Sequence, residues 1–272
     1  MASIRSAALW NSARAKQRGG DIEDDHRRSS FEERPDLDWL EPDECAFFFD
    51  LDGTLSGLAP TPDEASIPHS TIAALRRLSE RPDSAIAILS GRGLKEIDRL
   101  TMPLRLCAAG THGLECRNDS GQILTETLND AQLNEAYLEL NEFADRNKLL
   151  LEKKRGAICV HFRSNPSLAI ECRRQIERIA QHFSAVRTLH GDMVSEALWS
   201  QRNKGHALID FMAETPFRGK RPIAIGDDVT DEDAFEAAQR AGGIGIKIGK
   251  GKTRARIRIE TRKPLLAWLH RL

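Results

Sequence analysis

Asp50 and Asp52 lie two residues apart in Asp50-Leu-Asp-Gly-Thr54, directly after the apolar run Cys45-Ala-Phe-Phe-Phe49. In an extended chain residues i and i+2 project the same way, so both acids can face one point beyond the strand's end. Carboxylates that close repel, which calls for a cation or a shared proton. Gly53 permits a tight turn, and Thr54 offers a hydroxyl and a backbone N–H to an anion. Alone, the segment also reads as a strand–turn whose Asp and Gly serve only local hydrogen bonds. Three more segments bear on the choice. Ser90-Gly-Arg92 supplies a hydroxyl and N–H groups suited to phosphate. Lys204-Gly205 offers a point charge for a phosphoryl oxygen or a carboxylate. Gly226-Asp-Asp-Val-Thr-Asp231 adds three acids. Each has a bland alternative, with Ser90 or Asp231 a helix cap and Lys204 a surface lysine. Their joint placement at the ends of separate predicted strands, or on adjoining helices, points instead to one site.

The elements that must position these groups alternate between strand and helix. Cys45–Asp50, Ser84–Ser90, Leu104–Ala109, Pro222–Asp227 and Gly243–Ile248 are short apolar runs, as expected of strands buried on both faces. Helical spacing marks Ile72, Leu75 and Leu78, then Leu94, Ile97 and Leu100, and a C-terminal helix with Trp268 and Leu269. This pattern predicts an α/β, doubly wound (Rossmann-like) core. It is interrupted after Gly113. A turn at Arg117–Gly121 predicts a hairpin, and Leu133, Tyr137, Leu140 and Ala144 a helix. Ile158, Val160 and Phe162 alternate with Cys159, His161 and Arg163, which places His161 and Arg163 on a strand's polar face. Leu168, Cys172, Ile176, Ile179 and Phe183 predict another helix; Val186–Leu189 and Met193–Ala197 predict two strands. An inserted α+β domain, helix–strand–helix–strand–strand, is expected. The boundaries drawn are a tail at 1–40, a core at 41–125 and 200–272, and an insert at 126–199.

Composition narrows the class. The 272 residues carry Lys+Arg 40 against Asp+Glu 41, a net charge of −1, so no whole-protein basic field for nucleic acid exists. Arg254, Arg256 and Arg258 alternate with Ala255, Ile257 and Ile259, which predicts a half-exposed edge strand. Lys250–Thr253 lacks the spacing of a phosphate-binding loop. Five scattered cysteines without a CxxC pair read as reduced thiols, hence a cytoplasmic protein. No apolar run approaches the ~18 residues needed to span a bilayer, so no membrane partner is expected. Residues 1–40 hold basic and then acidic side chains without apolar periodicity, and are expected to be a disordered tail.

Asp50-Leu-Asp-Gly-Thr54, Ser90, Lys204 and Gly226–Asp231 together resemble the four motifs of the haloacid dehalogenase-type phosphatases. A finer likeness, to the trehalose-6-phosphate phosphatases, lies in Phe48–Leu55, Leu89–Arg92, Gly110-Thr-His-Gly-Leu-Glu115, Val160-His-Phe-Arg163 and Gly226–Glu232. The resemblance covers about residues 45–270. It implies a haloacid dehalogenase-like core with the insert as a cap, and a Mg²⁺-dependent hydrolysis of trehalose 6-phosphate. Asp50 is implied as nucleophile and Asp52 as acid and base. Thr54, Ser90 and Lys204 are implied to hold the phosphoryl oxygens. Mg²⁺ is implied to sit on Asp50, the Asp52 carbonyl and Asp227, with Asp228 and Asp231 close by. Asp52, where a P-type ATPase-like site has threonine, speaks for a phosphatase. A receiver domain, of ~120 residues, would lack the insert.

Carried over position by position, the resemblance implies substrate contacts from Arg92, His112, Gly113, Glu115, Lys154, His161, Arg163 and Glu196. Lys153, Lys154 and Arg155 are consecutive, so which of them reaches substrate stays open. The family usually has proline where Trp199 stands; Trp199 either packs at a hinge or stacks on a sugar. The implied partner is a small sugar phosphate, and the protein is expected to be a monomer. A phosphatase for another glycosyl phosphate (sucrose phosphate, glucosylglycerol phosphate, mannosylphosphoglycerate) and a non-catalytic partner of a trehalose-phosphate synthase are the alternatives; the intact acids and Lys204 speak against the second.

Overall fold

Alternate residues of the run Cys45–Phe49 face opposite ways in a strand, and both sets are apolar. Phe47 and Phe49 pack into one core layer, Ala46 and Phe48 into another. Both faces must therefore be covered, which is the arrangement the computed structural model shows. It describes residues 32–272 except 35, 60, 126–127, 184–185 and 192. The first part holds β1 (Glu32–Glu33), β2 (Cys45–Phe49), α1 (His69–Ser79), β3 (Ala85–Leu89), α2 (Leu94–Thr101), β4 (Cys107–Gly110), β5 (Glu115–Arg117) and β6 (Ile123–Thr125). Next come α3 (Asp130–Asn147), β7 (Leu150–Lys154), β8 (Ala157–His161), α4 (Ala169–His182), β9 (Arg187–Gly191) and β10 (Val194–Leu198). The last part is α5 (Lys204–Met212), β11 (Arg221–Gly226), α6 (Glu232–Arg240), β12 (Ile244–Ile248), β13 (Ile257–Ile259) and α7 (Lys263–Arg271).

The main sheet runs β1-β13-β12-β11-β2-β3-β4-β5-β6, parallel except for β5, which pairs antiparallel with both β4 and β6. The chain leaves β2 toward β3 and β4, and returns on β2's other side as β11. The crevice beyond β2 and β11 is thus a topological switch point, where open α/β sheets bind ligands. The expected doubly wound core is present. Over this edge β7, β8, β9 and β10 form a four-stranded antiparallel sheet in the order β7-β8-β10-β9. Ile158, Val160 and Ala197 on its outer face pack with Leu140, Phe143, Ile176 and Ile179 of α3 and α4. The inner face remains to line the site.

Three expectations need correction. The tail does not extend to residue 40: β1 pairs in parallel with β13, and Leu37 and Leu40 are 0% and 4% exposed in the core. Leu37, Trp39 and Leu40 sit in a turn too short to show periodicity; residues 1–31 lie outside the described residues. β13 is not an edge strand, since β1 covers it. Arg258 is buried and donates to the carbonyls of Gly249 and Gly251. The insert also has one strand more than expected, β7, whose Leu-Leu-Glu-Lys-Lys sequence does not alternate. No helix among the described residues is long and apolar enough to cross a membrane.

Candidate active site

Each core group stands at a strand end or a helix start. Asp50 follows β2, with its backbone N–H donating to the Ile225 carbonyl at 2.9 Å. Asp227 follows β11 directly. Gly53, at φ +80, brings the backbone against Asp227; a Cβ there would lie 2.0 Å from Asp227 Oδ2, so only glycine fits. Lys204 opens α5, whose N-cap Asn203 accepts from the His206 N–H at 2.9 Å. Lys204 Nζ donates to Asp50 Oδ1 at 2.6 Å and to Asp231 Oδ1 at 2.7 Å, all three side chains being buried. Ser90, also buried, accepts the Arg92 N–H on Oγ at 3.1 Å.

The electrostatics follow from this crowding. Burial, with the Asp231 and Asp227 charges, pushes the Asp50 carboxyl well above its usual range against the pull of Lys204. Burial, Asp231 and Asp228 push Asp227 up to about 7. Burial would discharge Lys204, but Asp231 and Asp50 outweigh it and keep the ammonium charged. Carboxylate oxygens of Asp50, Asp227 and Asp231 come within 4.8 Å of one another. One lysine does not relieve three acids, and this all-oxygen set fits a hard divalent cation such as Mg²⁺.

Asp52 points another way. Its carboxylate accepts from Arg92 through Nε at 2.7 Å and NH2 at 3.0 Å, a bidentate pair. Arg92 also donates to the Pro62 carbonyl at 2.9 Å and to Glu96 at 3.3 Å. The Asp52 side chain therefore lies outside the Asp50–Asp227–Asp231 group, and Asp228, which lines the cleft, is not one of the three. Thr54 Oγ1 lies 3.4 Å from Asp227 Oδ1 and is fully buried, so its hydroxyl serves that acid and does not line the cleft.

A cleft of about 510 Å³ joins these groups to the second sheet. Asp50, Asp52, Ser90, Arg92, His112, Lys204, Asp227 and Asp228 line it from the core; Lys154, His161, Arg163 and Glu196 line it from the cap. The cap groups meet because register pairs them. Glu152 and Glu196 flank Cys159 across β7, β8 and β10, so all three share one face. His112 Nε2 lies 3.1 Å from Glu196 Oε2, and His161 Nε2 2.9 Å from Glu152 Oε2. Burial alone would raise Glu196, but His112, Lys154 and His161 outweigh it and hold the carboxyl down at about 2.

Lys154 is the member of the basic run that enters the cleft; Lys153 stacks over Tyr137 at 5.5 Å, and Arg155 donates to Thr125 Oγ1 at 3.3 Å. Trp199 packs in the cap core, 5.9 Å from the Phe183 ring, and is not among the residues lining the cleft. Two expected contacts are not brought into the cleft. Glu115 accepts the Leu94 N–H at 3.2 Å, at the start of α2. Gly113, at φ +103, allows close passage of the Asn203 carbonyl, which a Cβ would approach to 2.6 Å. Sequence reasoning missed Glu152, although Glu152 and Lys154 stand two apart on one strand face. It also missed Lys247, which donates to the Asp227 carbonyl from the next strand over and carries no motif.

The family model described as trehalose-phosphatase matches residues 48–263. The trehalose-6-phosphate phosphatase of Escherichia coli K12 is 36% identical over 225 residues, 82% of this chain and 85% of that one. A probable trehalose-phosphate phosphatase of Sinorhizobium fredii is 38% identical over 210 residues, 76% and 78% of the two chains. Among solved structures, a trehalose-6-phosphate phosphatase related protein superposes with a TM-score of 0.66 at 28% identity, covering 83% of this chain and 97% of that one.

Proposed function

The chain belongs to the trehalose-phosphatase family, and from that premise we propose that it hydrolyses trehalose 6-phosphate to trehalose and phosphate. The carrying observation is the single cleft in which Asp50, Ser90 and Lys204 stand opposite Glu152, Lys154, His161, Arg163 and Glu196. One wall suits a phosphoryl group and the other a ring of hydroxyls, since carboxylates and bases make directional bonds to sugar oxygens.

In this reading an Asp50 oxygen attacks phosphorus while the sugar oxygen leaves with a proton from Asp52. An aspartyl-phosphate results. Asp52, now a carboxylate, takes a proton from water; the water oxygen attacks phosphorus, phosphate departs, and Asp50 is restored. Ser90 and Lys204 hold the phosphoryl oxygens in place, which is chiefly positioning and electrostatics. Lys204 must share itself between Asp50 and phosphate, while Asp231 keeps it charged. Thr54 supports Asp227 from beneath. Asp50, Asp227 and the Asp52 carbonyl would hold a Mg²⁺, with Asp228 and Asp231 alongside. When bound, that ion offsets the repulsion between an anionic nucleophile and a phosphate dianion. The cap residues bind and orient the disaccharide and exclude water.

We read the protein as a cytoplasmic monomer, in keeping with five cysteines that are all free. The test is phosphate release from trehalose 6-phosphate, sucrose phosphate, glucosylglycerol phosphate and mannosylphosphoglycerate, each with EDTA and with Mg²⁺ restored. Preference for trehalose 6-phosphate, silenced by EDTA and recovered with Mg²⁺, is expected. Preference for another member of the panel would move the substrate, and activity surviving thorough chelation would remove the metal.

A further inference from the structure

Core and cap meet at the turn after β4. Thr111 and His112 have φ of 46° and 56°, left-handed values that cost non-glycine residues, a β-branched one most. Two backbone bonds hold the turn: Thr111 N–H to the Arg92 carbonyl at 2.8 Å, and His112 N–H to the Ser90 carbonyl at 3.0 Å. It is thereby fastened to the loop that presents Ser90. Gly91 lies against the His112 ring, where a Cβ would fall 2.6 Å from Cε1 and 2.8 Å from Nε2. The Gly91 backbone is outside the left-handed region, so room for the ring is what demands glycine there.

The seated ring reaches across to the cap. Its Nε2 meets Glu196 Oε2 at 3.1 Å, with both side chains 8% exposed. Glu196 is ionised and can only accept, so Nε2 carries the proton of this bond. Nδ1 is buried with no hydrogen-bond partner among the described residues. The ring's one polar contact there is the bond to the cap. Lys154 makes a second crossing to the same loop, donating from Nζ to the Gly91 carbonyl at 3.3 Å. A strained turn held by two bonds, a glycine cleared for one ring, and a buried charge-assisted bond all serve one end.

We propose that His112 is a positioning residue: seated on Gly91, it fixes the Glu196 carboxylate against the Ser90 loop, so that sugar and phosphoryl contacts share one frame. The inference rests on the sugar-phosphate reading above and assigns His112 an action through Glu196. A glutamate free to sample rotamers would lose that freedom on each binding event; one already held loses less.

The test takes kcat and KM on trehalose 6-phosphate, and amide hydrogen exchange of segments 90–113 and 194–198, for the wild type and variants. His112→Ala, Gly91→Ala and Glu196→Ala should each lower kcat/KM roughly 10–150-fold, dividing the loss between kcat and KM in the same way. His112→Ala with Glu196→Ala should be no worse than Glu196→Ala alone. Gly91→Ala should cost nothing further once His112→Ala has removed the ring. His112→Gln, whose amide N–H reaches about as far as Nε2, should restore most of the loss. His112→Asn, which tolerates the backbone but falls short, should not. His112→Ala should quicken exchange in 194–198, and Glu196→Gln should quicken it in 90–113; the second carries the test where His112→Ala does not fold. Losses that multiply in the double variants, equal rescue by Asn and Gln, or no effect on exchange in the opposite segment would overturn the proposal. A wild type inert on trehalose 6-phosphate, with exchange still linked between the two segments, would overturn the substrate and leave the tie standing.

Discussion

At the carboxyl edge of the main sheet, each chemical group sits next to the end of its own element: Asp50 after β2, Ser90 after β3, Asp227 after β11 and Lys204 at the head of α5. On the cap, Glu152, His161 and Glu196 lie within or at the end of antiparallel strands and meet because register sets them side by side. The core site is thus fixed by connectivity and the cap site by pairing. A one-residue slip of β10 would turn Glu196 into the cap's own core and leave Asp50 untouched. The two walls also differ in charge. The core crowds three acids around one lysine and suits a cation; the cap pairs Glu152 with Lys154 and His161, and its Glu196 meets His112 of the core. The core should therefore decide whether bonds are made, and the cap which sugar is chosen.

The largest effect should come from the core. Asp50→Asn removes the attacking group while Lys204 keeps its bond to Asp231, so turnover should vanish on trehalose 6-phosphate and p-nitrophenyl phosphate alike, with the melting temperature little changed. Normal activity in this variant would end the covalent mechanism. Asp52→Asn comes next. It should still bind substrate but lose its acid and base steps, about 10²–10⁴-fold in kcat. A loss confined to KM would mean that Asp52 serves Arg92 and not the leaving oxygen.

The cap should answer differently. Glu196→Ala removes one carboxylate that accepts sugar hydroxyls, worth about 1.5–3 kcal/mol, or roughly 10–150-fold in kcat/KM on the disaccharide. A small aryl phosphate does not extend to the cap, so its loss should be much the smaller of the two. Equal losses on both substrates would place Glu196 in the support of the fold and erase the division between the two walls.

The same contrast explains what could be read from the sequence. Asp50, Ser90, Lys204 and Asp227 were legible because chain connectivity puts motif residues at strand ends, and short apolar runs announce the strands. Glu152 was passed over because β7 does not alternate, so nothing fixed which of its charges faced inward. Glu115 and Gly113 share a sequence block with His112, yet the left-handed turn sends His112 alone into the cleft. At the far edge of the sheet, Leu37 and Leu40 had no neighbours in sequence to reveal their burial. Each buries a side chain worth about 1.5–3 kcal/mol. Deleting residues 1–40 should therefore lower the melting temperature by roughly 6–24 °C, with kcat/KM at 25 °C little altered. An unchanged melting temperature would return those residues to the tail.

The smallest effect concerns Trp199, the position where the family usually has proline. A ring stacked on sugar would belong to the cap's choosing wall; a ring in the cap core belongs to neither wall. Trp199 is 5% exposed, sits in the apolar cluster with Phe183 and Ile179, and is absent from the residues lining the cleft. Its backbone N–H holds the hinge by donating to the Gly156 carbonyl at 2.8 Å, a bond any residue except proline can make. Its indole Nε1 is buried without a partner among the described residues, so removing that donor forfeits no bond. Trp199→Phe keeps an aromatic ring against Phe183 and loses only volume, a change that costs about 1–2 kcal/mol in a packed core. The melting temperature should fall by a few degrees, while the ratio of kcat/KM for trehalose 6-phosphate to that for p-nitrophenyl phosphate should stay within about twofold of wild type. A selective rise in KM for the disaccharide would place the ring on the sugar after all, and would move the hinge of the cap into its binding wall.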